Sequence, residues 1–172
     1  MNEHPRLLFT TELDGPKLLR ALAQPGVLDL LAAQGYGVAL MLPRFDDERT
    51  EAARLLAHHN IDVIASLCLP PEEGFAFNLQ NYPRAFECYS AFHGWMRANG
   101  LRFAAVSLNI EPPLEDLSLG ERPGGFVLAR ALLRRLWLAR ENILYPSAQN
   151  AYGELIVTMH LDGYEAHVFQ MP

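Results

Sequence analysis

Five apolar runs, each followed by a segment of helical periodicity or by the end of the sequence, constrain this chain more than anything else in it. They are Leu7 to Glu12, Val38-Ala-Leu-Met-Leu-Pro43, Asp62-Val-Ile-Ala-Ser-Leu-Cys-Leu-Pro70, Phe103-Ala-Ala-Val-Ser-Leu-Asn-Ile-Glu-Pro-Pro113 and Tyr164 to Pro172. Runs this short and continuously apolar suit strands buried on both faces of a parallel sheet. Four of the five end in proline, at Pro43, Pro70, Pro112 and Pro172. Proline cannot donate to a ladder, so each strand is expected to stop there. Strand-helix alternation calls for right-handed crossovers and a parallel sheet.

The helical segments are legible in the same way. Leucines at 18, 19, 22, 28, 30 and 31 have helical spacing, and Pro25-Gly26 divides that stretch into two pieces. Gly35 and Gly37 release the next strand. Asp46 or Asp47 is expected to cap a helix from Glu48 to His59, with Ala52, Leu55 and Leu56 inward. A third helix spans Tyr82 to Asn99, with Pro83 in its first turn. Gly124-Gly125 precedes an apolar helix to about Leu138; Tyr145-Pro146-Ser147 is expected to break it, with Ser147 capping a further helix from Ala148 to Leu161. The fold class expected is therefore α/β, with parallel βα repeats in an incomplete TIM-barrel-like arrangement of five strands and four helical crossovers, forming one domain over residues 1–172.

An open doubly wound sheet is the competing architecture. It calls for a glycine-rich phosphate loop after the first strand, whereas Thr11-Glu-Leu-Asp-Gly15 lacks that spacing and carries two carboxylates that repel phosphate. A complete barrel takes about 250 residues, and this sequence has 172. Five strands leave two open edges, which are costly unless covered. The expectation is that the chain pairs with another copy, a homo-oligomer closing the open barrel edge, or is the amino-terminal part of a longer protein.

Charge and cysteine usage narrow the partners. A formal charge of −6, with Lys17 the sole lysine, argues against a nucleic-acid surface, which needs a clustered basic face. No apolar run reaches the roughly 18 residues of a membrane span, and the amino terminus carries no basic-then-apolar signal. Cys68 and Cys88 lack Cys-x-x-Cys spacing and read as reduced thiols of a cytoplasmic protein. Histidines and carboxylates are not grouped as metal ligands, so neither a metal nor a cofactor is expected.

In α/β sheets, ligands bind at the carboxyl ends of the strands. Residues expected at that rim are Glu12 and Asp14, Asp46 and Asp47, Glu72 and Glu73, Asn109 and Glu111, and Gln170. Carboxylates and amides beside the aromatic loop of Phe75, Phe77, Asn78, Asn81 and Tyr82 suit a polyhydroxylated ligand such as a sugar: the acids accept from hydroxyls and a ring can stack. One carboxylate kept protonated among others can act as general acid. Ser107 has no evident His-Asp partners by spacing and does not read as a nucleophile.

The segment Ser107-Leu-Asn109-Ile-Glu111-Pro-Pro resembles the fourth-strand segment of (β/α)8 glycoside hydrolases. In the chitinase-like enzymes that segment is Asp-x-Asp-x-Glu and its last Glu is the general acid. The resemblance implies that Glu111 is the acid and Asn109 a positioning group. Asn109 and Ser107 depart from the pattern by standing where aspartates are expected. In another large hydrolase clan the fourth strand ends in adjacent Asn-Glu-Pro; here Ile110 intervenes, and that clan's nucleophile lies on a seventh strand. The function expected is thus a glycoside hydrolase-like, carbohydrate-active barrel relative. Catalysis would rest on Glu111 and Asn109, and a small-molecule sugar would be bound by Glu12, Asp46, Glu72, Phe75, Asn78 and Gln170. The alternative is a non-catalytic truncated barrel, or a binding and assembly module acting through open sheet edges. A sugar-phosphate isomerase is disfavoured by the acidic rim.

Overall fold

The computed structural model describes residues 7–111 and 141–169. Pro112 and Pro113, the helix expected from Gly124 to Leu138, Gln170 and Pro172 lie outside the described residues. The elements in order are β1 (Leu8–Thr11), α1 (Gly15–Leu22), α2 (Val27–Gln34), β2 (Gly37–Leu42), α3 (Asp47–His58), β3 (Val63–Leu67), a 3-10 turn (Pro71–Glu73), α4 (Pro83–Asn99), β4 (Ala105–Asn109), α5 (Glu141–Leu161) and β5 (Glu165–Phe169).

Local chemistry explains most boundaries. Asp14 caps α1 by accepting from the Lys17 backbone N–H at 2.9 Å, and Asp46 caps α3 through the Arg49 N–H at the same distance. Gly35 closes α2 at φ +62°, a left-handed conformation that costs a side-chain-bearing residue about 1 kcal/mol or more. Gly15 serves a different need: a Cβ there would sit 2.6 Å from the Glu48 Cβ, so its lack of a side chain lets α1 begin against the first turn of α3.

One helix differs from the expectation. Rather than breaking at Tyr145-Pro146-Ser147, α5 runs unbroken from Glu141 to Leu161 with Pro146 inside it. Proline removes one rung of the helix ladder. Leu144, Tyr145, Pro146 and Ser147 are all exposed, so the proline ring lies at the surface and not against the core. Downstream, Ala148, Leu155 and Met159 are fully buried and anchor the helix.

The five strands form one sheet whose order in space matches their order in sequence, and every neighbouring pair is parallel. This is the singly wound pattern of parallel βα repeats; β1 and β5 each pair with one neighbour among the described strands. Alternation divides the sheet into two faces. Val38, Leu40, Leu42, Val63, Ala65, Leu67, Val106 and Leu108 share one continuous core with buried residues of α1, α3, α4 and α5. Ala39, Ile64 and Ala105, with Leu8 beside them, form a separate small cluster on the other face. The described helices therefore lie together on one side of the sheet, as successive right-handed crossovers between adjacent strands require.

Ala85, Tyr89, Phe92 and Met96 of α4 form its buried stripe. Phe92 is the hub, with ring centroids of Phe103 at 5.3 Å, Tyr89 at 6.2 Å, and Phe45, Trp95 and Tyr164 each at 6.3 Å. That cluster fixes α4 over the carboxyl-terminal strands and so sets the loop that leads into it. Among the described residues no helix is long and apolar enough to cross a membrane.

Candidate functional site

Parallel pairing brings the carboxyl ends of the described strands to one edge of the sheet, and the β3–β4 part of that edge is the most elaborated. After Leu69 the chain leaves the ladder through Pro70 and the 3-10 turn. It folds back through left-handed φ values at Gly74 (+92°) and Phe75 (+64°). It then returns to the sheet: the Leu69 N–H donates to the Phe75 carbonyl at 2.9 Å, the Phe77 N–H to the Asn109 carbonyl at 2.8 Å, and the Glu111 N–H to the Phe77 carbonyl at 3.0 Å. Phe77 thereby forms a parallel bridge with Ile110 beyond the end of β4. The loop thus pins the backbone on both sides of Glu111's neighbour and fixes where that side chain starts.

Asparagine side chains hold the rest of the loop in shape. Asn78 Oδ1 accepts from the Gln80 and Asn81 N–H groups at 2.8 and 3.1 Å, Asn81 Oδ1 accepts from the Asn78 N–H at 2.7 Å, and Asn81 Nδ2 donates to the Ala76 carbonyl at 3.1 Å. Tyr152 of α5 donates its hydroxyl to the Asn78 carbonyl at 3.0 Å, which ties the loop to a helix 74 positions away. Asn78 is therefore a turn-former whose side-chain oxygen is already engaged. Phe75 is half-buried at its left-handed position, and Phe77, expected as a stacking platform, is fully buried in the core and presents no ring face to a ligand. Tyr82 is half-buried just ahead of α4.

The rim acids divide into engaged and unengaged groups. Asp14 caps α1 and pairs with Lys17 at 2.7 Å, and those contacts lower its carboxyl pKa. Asp46 caps α3 and pairs with Arg49 at 2.5 Å; Asp47 is in the first turn of the same helix. Arg49 is only 7% exposed and also donates Nε to the Met41 carbonyl at 3.2 Å, joining the tip of β2 to α3. Glu72 pairs with Arg44 at 2.5 Å, and its pKa is lowered first by a hydrogen bond with its own backbone and then by that guanidinium. Glu73 pairs with Arg84 at 2.6 Å, and Arg84 also holds Glu87. Glu12, one residue past β1, and Glu111, two past β4, have no ion pair among the described residues.

The face turned away from the helices carries the polar groups. On β4, Ser107 and Asn109 follow Ala105 by alternation and continue to Glu111; Asn109 is 8% exposed and Glu111 half-buried. On β3, Ser66 and Cys68 follow Ile64 in the same way. Burial pushes the Cys68 thiol up to about 12, with Cys88 acting in the same direction, so it stays protonated at neutral pH and is no nucleophile.

Register reveals one arrangement that spacing in the sequence does not. Met41 pairs with Ser66, Ser66 with Ser107, and Ser107 with His167, so four strands contribute one straight row. His167 Nε2 lies 3.5 Å from Glu165 Oε2. A signal existed in the alternation of Glu165 and His167 along an apolar strand, but their neighbour across the ladder lies sixty positions back. Gln170 lies outside the described residues. Among the described residues no group of three or more His, Cys, Asp or Glu side chains is placed to hold a metal ion. No protein-family model, curated protein or solved structure matches this chain.

Proposed function

We propose that this chain is carbohydrate-active, a glycoside hydrolase-like relative built on parallel βα repeats, with Glu111 as general acid and Asn109 as a positioning hydrogen-bond donor. One observation carries the reading: Glu111 stands at the carboxyl tip of a buried strand with no ion pair among the described residues, while Asp14, Asp46, Glu72 and Glu73 each have a basic partner. A carboxyl group that no basic side chain engages is free to meet a ligand at the carboxyl end of a parallel sheet. In the proposed reaction Glu111 protonates the glycosidic oxygen as the bond to the anomeric carbon breaks, and water completes the hydrolysis. Glu12 and Asp47 are the other acids of this edge with no ion pair among the described residues, and Glu12 is the carboxylate to test as base. Asp46 and Glu72 act here as supports of the rim.

A panel of aryl glycosides incubated with the wild type and with Glu111→Gln tests the assignment. General-acid catalysis contributes about 10²–10⁴-fold, so the variant should lose at least a hundredfold in turnover while keeping its fold. Equal turnover in the two proteins would refute it.

A second reading, assembly with another copy through the β1 edge, draws on the exposure of Leu7, Phe9 and Leu13 along and just beyond that strand. An unpaired parallel edge with apolar neighbours is a template for a further strand. Light scattering across a hundredfold concentration range tests it, and a monomer throughout would refute it.

A further inference from the structure

We infer that two copies of this chain join their β1 strands edge to edge, antiparallel, about a two-fold axis that passes beside Thr10. This seam rests on the assembly reading above and adds a symmetry and a register to it. β1 is an outer strand and pairs only with β2 among the described strands. The Gly37 N–H donates to the Leu7 carbonyl at 2.9 Å. Successive residues of a strand turn their backbone groups to opposite sides. Leu7, Phe9 and Thr11 therefore serve β2, while Leu8, Thr10 and Glu12 point their N–H and C=O groups outward. Soluble proteins guard such an edge with lysine, proline or a bulge. Leu7-Leu8-Phe9-Thr10-Thr11 carries no charge and no proline, and its register with β2 is unbroken.

A two-fold axis normal to the sheet makes the two strands antiparallel and keeps the helices of both copies on one side. With the axis beside Thr10, that residue faces its own counterpart, and Leu8 faces Glu12 of the second copy. Every outward backbone group of the strand then meets a complementary one. On the helix side, Phe9 lies against Thr11 of the second copy, and Leu7 comes opposite its Leu13. Leu7, Phe9 and Leu13 are 47%, 46% and 41% exposed, and this register covers all three. Centred on Phe9 instead, the pairing carries Leu13 past Leu7 of the second copy and separates the two leucines.

α2 supplies area that a four-residue strand lacks, since a standard interface buries roughly 800 Å² per partner. Six of its eight residues are apolar, yet none is buried, and Leu30 is 58% exposed. A helix apolar on all sides belongs under cover. Gly35 and Tyr36 lead from α2 into β2, and the Tyr36 ring meets the Phe9 ring edge-on at 5.5 Å. α2 therefore stands by the amino end of β1, the end at which Leu13 of the second copy arrives.

Light scattering of the full chain across a hundredfold concentration range should show its mass double. Thr10→Pro should abolish the doubling, because it removes an N–H that β1 does not give to its own sheet. Phe9→Lys should do the same by placing a charge in the seam, and both variants should keep the circular dichroism of the wild type. Cross-linking reads the register. Cα atoms of an antiparallel hydrogen-bonded pair stand about 5.5 Å apart, within disulfide reach. Thr10→Cys, oxidised with glutathione disulfide, should therefore run as a covalent dimer. Phe9→Cys should not, since its counterpart is a diagonal neighbour about 7–8 Å away. Burial pushes the Cys68 and Cys88 thiols up to about 12, so the wild type serves as the blank. A wild type that stays monomeric throughout refutes the assembly reading and the seam with it. A dimer that cross-links through Phe9→Cys rather than Thr10→Cys, or through neither, leaves the assembly reading standing and overturns the seam. So does a dimer that survives both Thr10→Pro and Phe9→Lys.

Discussion

Arg49 offers the sharpest quantitative test of how the rim is built. Its guanidinium is almost wholly buried between the Met41 carbonyl at 3.2 Å and the Asp46 carboxylate at 2.5 Å, while Asp46 uses its other oxygen to cap α3. In Arg49→Met the aliphatic stem is replaced and the two polar contacts vanish. A hydrogen bond to a charged group contributes about 1.5–3 kcal/mol, and a buried carbonyl left without its partner costs about 1–3 kcal/mol. Asp46 is about a third exposed and regains water, which offsets part of the loss. The net expectation is about 3 kcal/mol, or a melting temperature lower by roughly 6–12 °C for a chain of this size. Asp46→Asn keeps a good capping side chain and loses only the charge, so about 1–2 kcal/mol is expected. Urea unfolding followed by the fluorescence of Trp95 suits the assay, since its indole N–H donates to Thr50 Oγ1 at 3.0 Å and Thr50 in turn donates to the Asp46 carbonyl at 2.9 Å. Comparing both single variants with the double variant isolates the pair, and a coupling of about 1–2 kcal/mol is expected. A loss under 1 kcal/mol for Arg49→Met, or single effects that simply add, would show that this ion pair does not join β2 to α3.

Other perturbations probe separate parts of the molecule. Phe92→Ala removes the hub of the aromatic cluster and should cost about 3–5 kcal/mol in chemical denaturation; a loss near 1 kcal/mol would mean that α4 is not anchored there. Gly15→Ala forces a Cβ to within 2.6 Å of Glu48 and should destabilise by about 1–3 kcal/mol, read as a lower melting temperature. Burial raises both cysteine thiols from 9.0 to about 12. Unfolded thiols ionise above pH 9 while the folded ones stay protonated, so stability is fully present below pH 9 and falls as pH rises toward 12. Cys68 alone would contribute a slope of at most about 1.4 kcal/mol per pH unit. Cys68→Ala should flatten that decline, and a thiol reagent at pH 8 should label Cys68 only on unfolding.

How much of this was legible beforehand depends on whether the information was local. The apolar runs gave the strands, because a five-residue stretch such as Val63–Leu67 has no polar side from which to form anything half-exposed. Pro25-Gly26 and Asp46 marked a helix break and a cap through chemistry within a few residues. The continuity of α5 through Pro146 was not legible, since it depends on which side of the helix faces water. Phe77 read as a loop aromatic free to stack, yet its backbone re-enters the sheet against Ile110 and carries the ring into the core. Among the rim acids, strand position and motif set Glu111 apart as the general acid and left Asp46 and Glu72 to substrate binding, with no sign that either was already paired. Glu72 is engaged by Arg44 across 28 positions, which no local pattern shows, and Asp46 by Arg49 three residues on.

The sequence by itself determined the alternation of strand and helix and the parallel sense of the sheet, because hydrophobic periodicity and turn chemistry act over a dozen residues or fewer. Tertiary structure alone decided which polar groups meet. Ser107 and His167 are neighbours only because β4 and β5 pair in one register, and a slip of a single residue would turn one of them to the opposite face. Register is set by packing across the whole sheet, and no stretch of chain encodes it on its own.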